Sequence, residues 1–85
     1  MKTLMLLAAK YETPAIQLEV IREEFLGIKT KLEADRKASN FDLPIPVFKL
    51  GTSRSPYMVH LQDLADYIDK QAAAARVELS RIHVT

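Results

Sequence analysis

The sequence contains no cysteine and no long apolar run, and each absence excludes a class of protein. Without cysteine the chain can form neither a disulfide framework nor a thiolate metal site, and a reducing cytosol is permitted. No stretch approaches the ~18 consecutive apolar residues that a membrane span requires. The apolar run at residues 4–9 is shorter than that of a signal peptide, and no small-residue cleavage site follows it. We therefore expect a cytoplasmic protein with no membrane partner.

Internal repeats, low-complexity segments and catalytic motifs are also missing. A chain of 85 residues holds one modest core, so we expect a single domain spanning residues 1–85. His60 and His83 stand far apart in the sequence and belong to no ligand cluster or nucleophile motif. The sequence therefore predicts no catalytic residue, no metal site and no cofactor, and we do not expect an enzyme.

The charges are distributed unevenly along the chain. Residues 28–55 carry six cations against three anions, whereas residues 1–27 and 56–85 each carry three cations against four anions. The net charge of +1 says nothing about an anionic partner, but the excess of positive charge in the middle third is suggestive of one.

Local signals in the first half of the chain predict three helices. Apolar spacing indicates a short helix over residues 3–11, with a strand as the alternative, and a second helix over residues 18–26 that ends at Gly27. A capping box formed by Thr30 and Glu33 predicts a third helix from Lys31 to Ser39. We expect the second helix to bury Val20, Ile21 and Phe25. In the third helix we expect Leu32 and Ala38 to close the core, with Arg36 and Lys37 pointing away from Leu32.

The second half of the chain predicts a hairpin and a long helix. Residues 46–61 read PVFKLGTSRSPYMVHL, in which two apolar runs flank a polar tip at residues 51–56. A helix should follow over about residues 61–82, with His60 as its N-cap and Asp63 in its first turn. The predicted fold class is therefore mainly α with a two-stranded β-hairpin, arranged as a winged helix-turn-helix with a long C-terminal helix.

Within this arrangement the third helix and the hairpin tip carry groups suited to nucleic-acid contact. Guanidinium, ammonium, hydroxyl and amide groups bind phosphates and base edges. Solvated helix charges are the alternative interpretation, because Glu33 and Asp35 lie among the cations. The candidate DNA-binding residues are Lys29, Thr30, Lys31, Arg36, Lys37, Asn40, Lys49, Ser53, Arg54 and Ser55. We expect Arg36 and Asn40 to reach base edges, and the lysines and Arg54 to hold phosphates.

The long helix carries a heptad pattern of apolar residues, which is typical of self-association. The pattern runs through Leu61, Ala65, Ile68, Ala72, Ala75, Leu79 and Ile82. Its distal part, residues 72–82, extends past what a small core can cover, and we expect a weak homodimer or an oligomer assembled on DNA. A frayed or folded-back end is the alternative.

The segment Leu43–Asp69 reads LPIPVFKLGTSRSPYMVHLQDLADYID, and residues 16–39 before it read IQLEVIREEFLGIKTKLEADRKAS. Together they resemble the pyocin activator protein family, small transcriptional activators found with phage and phage-tail bacteriocin genes. The resemblance covers nearly the whole chain, from TLMLLAAKY to ADYIDKQAAAAR. It implies a bacterial or phage-encoded activator that binds double-stranded DNA without a cofactor, with residues 31–39 as recognition helix and residues 51–56 as wing tip. The layout is also distantly similar to phage excisionases and MerR-type DNA-binding domains.

Three functions remain open at this point. The first is a sequence-specific activator, for which RNA polymerase is a further candidate partner. The second is an excisionase-like architectural protein that bends DNA or builds an array on it. The third is a protein-interaction module whose basic middle third is incidental to function.

Overall fold

The computed structural model describes residues 2–83, which form a mainly helical protein with a small antiparallel sheet. Its helices are α1 (Lys2–Tyr11), α2 (Leu18–Leu26), α3 (Lys31–Ser39) and α4 (Leu61–His83), and its strands are β1 (Ala15–Gln17), β2 (Phe48–Lys49) and β3 (Tyr57–His60). Met1, Val84 and Thr85, which are predicted to belong to the same domain, lie outside the described residues.

The sheet has three strands, so the prediction of a two-stranded hairpin was incomplete. β3 pairs antiparallel with β2, as the hairpin prediction requires, and also with β1 on its other side. Ile16 of β1 lies opposite Val59 of β3, and both side chains are buried. Next to the paired strands, the Leu61 N–H donates a hydrogen bond to the Pro14 carbonyl at 2.9 Å. β1 thus anchors the segment that leads into α2 to the base of the hairpin.

The helix boundaries follow the local signals in the sequence. α2 and α3 span the residues predicted for them, and Gly27 ends α2 in the left-handed conformation at φ 69°. The Thr30 hydroxyl caps α3 by accepting from the Glu33 N–H at 3.2 Å. The return bond from the Thr30 N–H to the Glu33 carboxylate is not formed within residues 2–83, so only half of the predicted capping box is present.

The predicted N-cap of α4 is also present. The Nδ1 atom of His60 accepts from the Gln62 N–H at 3.1 Å, which satisfies one of the free amides of the first turn. Because β3 ends at His60 and α4 begins at Leu61, the hairpin passes directly into the helix. The orientation of the hairpin is therefore tied to that of α4.

The core lies where α2, β3 and α4 meet. Leu18, Ile21, Val59 and Leu64 are the largest fully buried side chains, and α1 packs against α4 beside them. α3 contributes the small residues Ala34 and Ala38, and it packs against α2. Burial of these apolar side chains provides the main stabilisation of the fold.

Two residues expected in the core are exposed. Val20 is 53% exposed and Leu32 is 82% exposed. In α3 the helical period places Leu32 two residues from Ala34, about 160° around the axis from it, so both cannot face inward. The buried residues of α3 are Ala34 and Ala38. Arg36, four residues after Leu32, therefore shares the outward face with Leu32, and the prediction that these two side chains diverge was wrong.

α4 extends beyond the core. Leu61, Leu64 and Ala65 in its first turns are buried, whereas Leu79 and Ile82 are 57% and 67% exposed. The molecule measures 54 × 28 × 17 Å, with a long dimension well above that expected of a compact body of this size. Among the helices described, none combines the length and the apolar character that crossing a bilayer requires.

Candidate nucleic-acid interface

α3 presents Leu32 and Arg36 on the side of the helix opposite its buried residues. Ala34 and Ala38 face the core, and the helical period places Leu32 and Arg36 about 180° away. Together with Thr30 and Glu33, Leu32 and Arg36 line a shallow surface groove of about 380 Å³. The Arg36 guanidinium makes no hydrogen bond or ion pair with any residue from 2 to 83, so its donors are available to a ligand.

The amino end of α3 is also exposed to solvent. The free N–H groups of a first helical turn favour an anion, and Thr30 uses its hydroxyl to cap one of them. Lys29 stands directly before this cap and is exposed. Its ammonium has no ion-pair partner in the described part of the chain.

Lys31 is the first residue of α3 and lies on the side of the helix nearest the hairpin. Its ammonium lies 2.8 Å from a carboxylate oxygen of Asp35, one turn along the helix. The hydrogen bond to Asp35 raises the pKa of Lys31, with a smaller contribution from the charge of that carboxylate. Lys31 is therefore positioned for an anion but would share its charge between Asp35 and a phosphate.

Short hydrogen-bonded turns shape the hairpin tip, residues 51–56, which we call the wing. The Ser55 N–H donates to the Thr52 carbonyl at 3.1 Å, and the Thr52 N–H donates to the Ser55 hydroxyl at 3.3 Å. Gly51 has φ 93°, a conformation that side chains rarely adopt. Arg54 is the third residue of this turn and is exposed, and its guanidinium forms no ion pair among the residues described.

Lys49, at the end of β2, has a structural role next to the wing. Its ammonium donates to the Ser53 carbonyl at 2.7 Å and lies 4.4 Å from the centre of the Tyr57 ring. These contacts brace the two strands across the tip, and they are typical of cation–π packing at an exposed site. The Lys49 ammonium is therefore held in place by the hairpin itself.

The wing and the first turns of α3 line one cleft of about 410 Å³. Lys31 and Asp35 enter it from the helix, and Lys49, Arg54, Ser55, Pro56 and Tyr57 enter it from the hairpin. Four of the ten predicted DNA-binding residues thus line a single concave surface, although they come from segments 18 or more positions apart in the sequence. The cleft carries three cations against the single carboxylate of Asp35, so its charge favours an anionic ligand.

The remaining predicted residues lie at other places on α3 and the wing. Lys37 lies 3.8 Å from Asp42, and Asn40 is the exposed C-cap of the helix. Both are at the end of α3 that is distant from Thr30. Ser53 is exposed and offers its carbonyl to Lys49. The candidate surface therefore has a net positive charge near the wing, whereas Lys37, near Asn40, lies beside the carboxylate of Asp42.

Sequence reasoning missed Arg22, which organises the connection between α2 and α3. Its guanidinium donates to the Ile28 carbonyl at 2.9 Å and to Glu19 at 3.1 and 3.2 Å. The hydrogen bond to Glu19 raises the pKa of Arg22. The i, i+3 spacing of Glu19 and Arg22 was a visible signal, but nothing in the sequence indicated that the guanidinium would also reach a carbonyl beyond Gly27.

The fold and this surface define a small helical protein with a cationic cleft between a short helix and a hairpin. The family model described as pyocin activator protein PrtN matches residues 3–75. The chain belongs to the pyocin activator protein family, as the resemblance in sequence predicted. Neither the curated proteins nor the solved structures contain a match.

Proposed function

We propose that the protein binds double-stranded DNA with sequence specificity and activates transcription of phage-related or pyocin-like genes. In this proposal α2 and α3 form a helix-turn-helix, α3 enters the major groove, and the hairpin acts as a wing beside it. The protein acts in a bacterial cytoplasm and needs no cofactor or catalytic step. Membership of the pyocin activator family supports the activator role.

The observation that carries the proposal is the cleft shared by α3 and the wing. Lys31, Lys49 and Arg54 converge there, while Arg36 projects from the face of α3 opposite the core. Cations at the edge suit phosphates, and an arginine on the outward face suits the bidentate acceptors of a guanine in the major groove. Phosphate contacts and base contacts would thus be made by separate groups.

We further propose that two copies act together. A lone module of this size makes few base contacts compared with what one site among many genomic competitors requires. Leu79 and Ile82 are exposed on the extended part of α4, in register with Ala72 and Ala75, and can form a thin apolar seam with a second α4. We expect a weak dimer that assembles on DNA and reads two half-sites about one helical turn apart.

Selection from a random pool of duplex DNA, followed by mobility shifts at several salt concentrations, tests the proposal. We expect a defined motif, bound more tightly than random DNA by at least about a thousandfold. If the protein shifts no duplex at low salt, DNA binding is refuted and a protein-interaction module is favoured. Binding without any sequence preference would refute specificity alone.

DNase footprinting on the selected site separates an activator from an architectural protein. An activator protects a short element and leaves flanking DNA accessible. Long protection with a helical period would instead indicate an array on bent DNA. Transcription from a template carrying the selected site, with and without the protein, then tests activation directly.

A further inference from the structure

Leu32 has no role in the fold that explains its position. It is 82% exposed, although it is the single large apolar residue of α3 and occupies the second position of the helix. The inward positions of α3 are taken by Ala34 and Ala38. Single exposed leucines are common on protein surfaces, so exposure alone carries no conclusion.

The surroundings of Leu32 are more informative than its exposure. Leu32 and Arg36 lie one turn apart on the face opposite the core, and both line the groove with Thr30 and Glu33. Lys29 precedes the helix and is exposed. The cationic cleft lies next to this face, because its helix residues Lys31 and Asp35 directly precede Leu32 and Arg36 in the chain. An exposed apolar side chain thus lies next to a cleft whose cations suit phosphates.

We infer that Leu32 is a specificity-determining residue that contacts the C5-methyl group of a thymine in the major groove. This inference rests on the proposed function and adds to it a base preference that the cations cannot supply. Thymine presents the one apolar group on the major-groove edges of the four bases, and apolar side chains recognise it by van der Waals contact. The amino-terminal residues of a recognition helix are the ones that reach base edges.

The spacing of the two side chains limits where the thymine lies. Residues four apart on a helix are separated by about 6 Å along its axis, which is about two base-pair steps of 3.4 Å. Arg36 is suited to a guanine, which accepts its two N–H groups at O6 and N7. The selected motif should therefore contain a thymine within about two base pairs of the guanine read by Arg36.

Uracil substitution tests the inference, because uracil lacks only the methyl group of thymine. Each thymine of the wild-type selected site is replaced singly by uracil, and affinities of the wild-type protein and of Leu32→Ala are measured by mobility shift. At one position uracil should weaken the wild type about four- to tenfold, the effect of losing one buried methyl contact or slightly more. Leu32→Ala should bind the unmodified site with a similar loss and be insensitive to uracil at that position.

Leu6→Ala provides a matched control, since Leu6 is 64% exposed on α1, outside the interface. It should retain wild-type affinity and full sensitivity to uracil. Both variants should melt within about 2 °C of wild type, because neither side chain is buried.

Several results would overturn the inference. Unchanged affinity of Leu32→Ala for the selected site would do so, as would uracil effects that persist in this variant at every thymine. Normal DNA binding by Leu32→Ala with loss of transcription would assign the residue to a protein partner instead. If the wild type selects no motif, the proposed function fails and this inference fails with it, whereas a motif read without Leu32 leaves the proposed function intact.

Discussion

The cationic side chains of α3 and the hairpin differ in whether they contact other groups of the protein. Lys31 and Lys37 face carboxylates, and Lys49 is held by a carbonyl and an aromatic ring. Arg36 and Arg54 have no such partner within residues 2–83. Exposed ion pairs are weak, so the engaged lysines can still meet phosphates, but the two arginines can respond to a ligand without breaking any contact.

Substitution of the two arginines should separate base readout from phosphate contact. Arg36→Ala should lower affinity for the selected site by ~1–3 kcal/mol and relax the preference at one base pair, because it removes a bidentate contact. Arg54→Ala should weaken all duplexes alike and reduce the slope of log affinity against log salt by about one. Mobility shifts with specific and random duplexes across a salt series provide both measurements.

Lys70→Ala removes the same charge from the exposed surface of α4 and serves as the control, which should leave the preference for the selected site unchanged. Equal losses on specific and random DNA for Arg36→Ala would contradict its assignment to base readout. Lys49→Ala should resemble Arg54→Ala in its salt slope, with an additional loosening of the wing.

At the scale of elements, the connection between α2 and α3 depends on a small set of local interactions. Gly27 takes the left-handed conformation, Thr30 caps α3, and Arg22 joins the two by reaching from α2 to the Ile28 carbonyl. In addition, the Ile28 N–H donates a hydrogen bond to the Arg22 carbonyl at 2.9 Å. This short turn fixes the angle at which α3 leaves α2, and with it the direction of Leu32 and Arg36.

Removal of the Arg22 guanidinium should therefore destabilise the fold. Arg22→Met keeps the aliphatic stem but loses the bonds to Ile28 and Glu19, and the side chain is only 18% exposed. We expect a loss of about 1–3 kcal/mol in the free energy of unfolding, typical of hydrogen bonds to a charged group. Urea denaturation followed by circular dichroism measures it.

The chain offers a matched control at its other end. Arg81 pairs with Glu78 at the same i, i+3 spacing, but at 3.8 Å and with its side chain 75% exposed. Arg81→Met should cost less than about 0.5 kcal/mol, as for other exposed ion pairs. Equal costs for the two variants would show that Arg22 does not hold the turn.

At the scale of the whole molecule, α4 divides into a part that builds the core and a part that leaves it. The first turns bury Leu61, Leu64 and Ala65, whereas residues from 73 onward are exposed wherever the structure describes them. An extended helix with large apolar side chains such as Leu79 gains little stability as a monomer. In the dimer proposed above, a second copy covers this surface.

Replacing Leu79 and Ile82 together by Asp tests the role of the extension. Because both residues lie outside the core, the variant should retain wild-type circular dichroism and unfolding. Its affinity for a site with two half-sites should fall by at least tenfold, while its affinity for a single half-site should change little, because pairing of two bound copies is lost. Mobility shifts on the two duplexes make the comparison.

Ala73→Asp combined with Ser80→Asp adds the same two negative charges to α4 on the side facing away from the seam. On each of the two duplexes this control should keep the affinity of the wild type, apart from a small electrostatic loss. If the Leu79 and Ile82 variant matches wild type on the double site, the extension has no part in DNA recognition and any assembly uses another surface.

Signals that act within a few residues could be interpreted from the sequence. Gly27 and Thr30 set the ends of α2 and α3 through backbone conformation and a hydroxyl cap, which depend on neighbouring atoms of the same segment. For the same reason His60 marked the start of α4, and the polar tip marked the hairpin. The resemblance in sequence added the family, since it depends on residue order along nearly the whole chain.

Tertiary structure decided the features that depend on partners distant in sequence. β1 is three residues long, too short to show alternation, and becomes a strand because β3, whose paired residues lie 41 to 45 positions later, offers its free edge. Leu32 is more apolar than Ala34, yet the surface of α2 accepts the smaller side chain and turns Leu32 outward. The cleft likewise forms only because the fold brings the hairpin beside the first turns of α3. These features depend on which surfaces pack together, and a short stretch of sequence does not specify its distant packing partners.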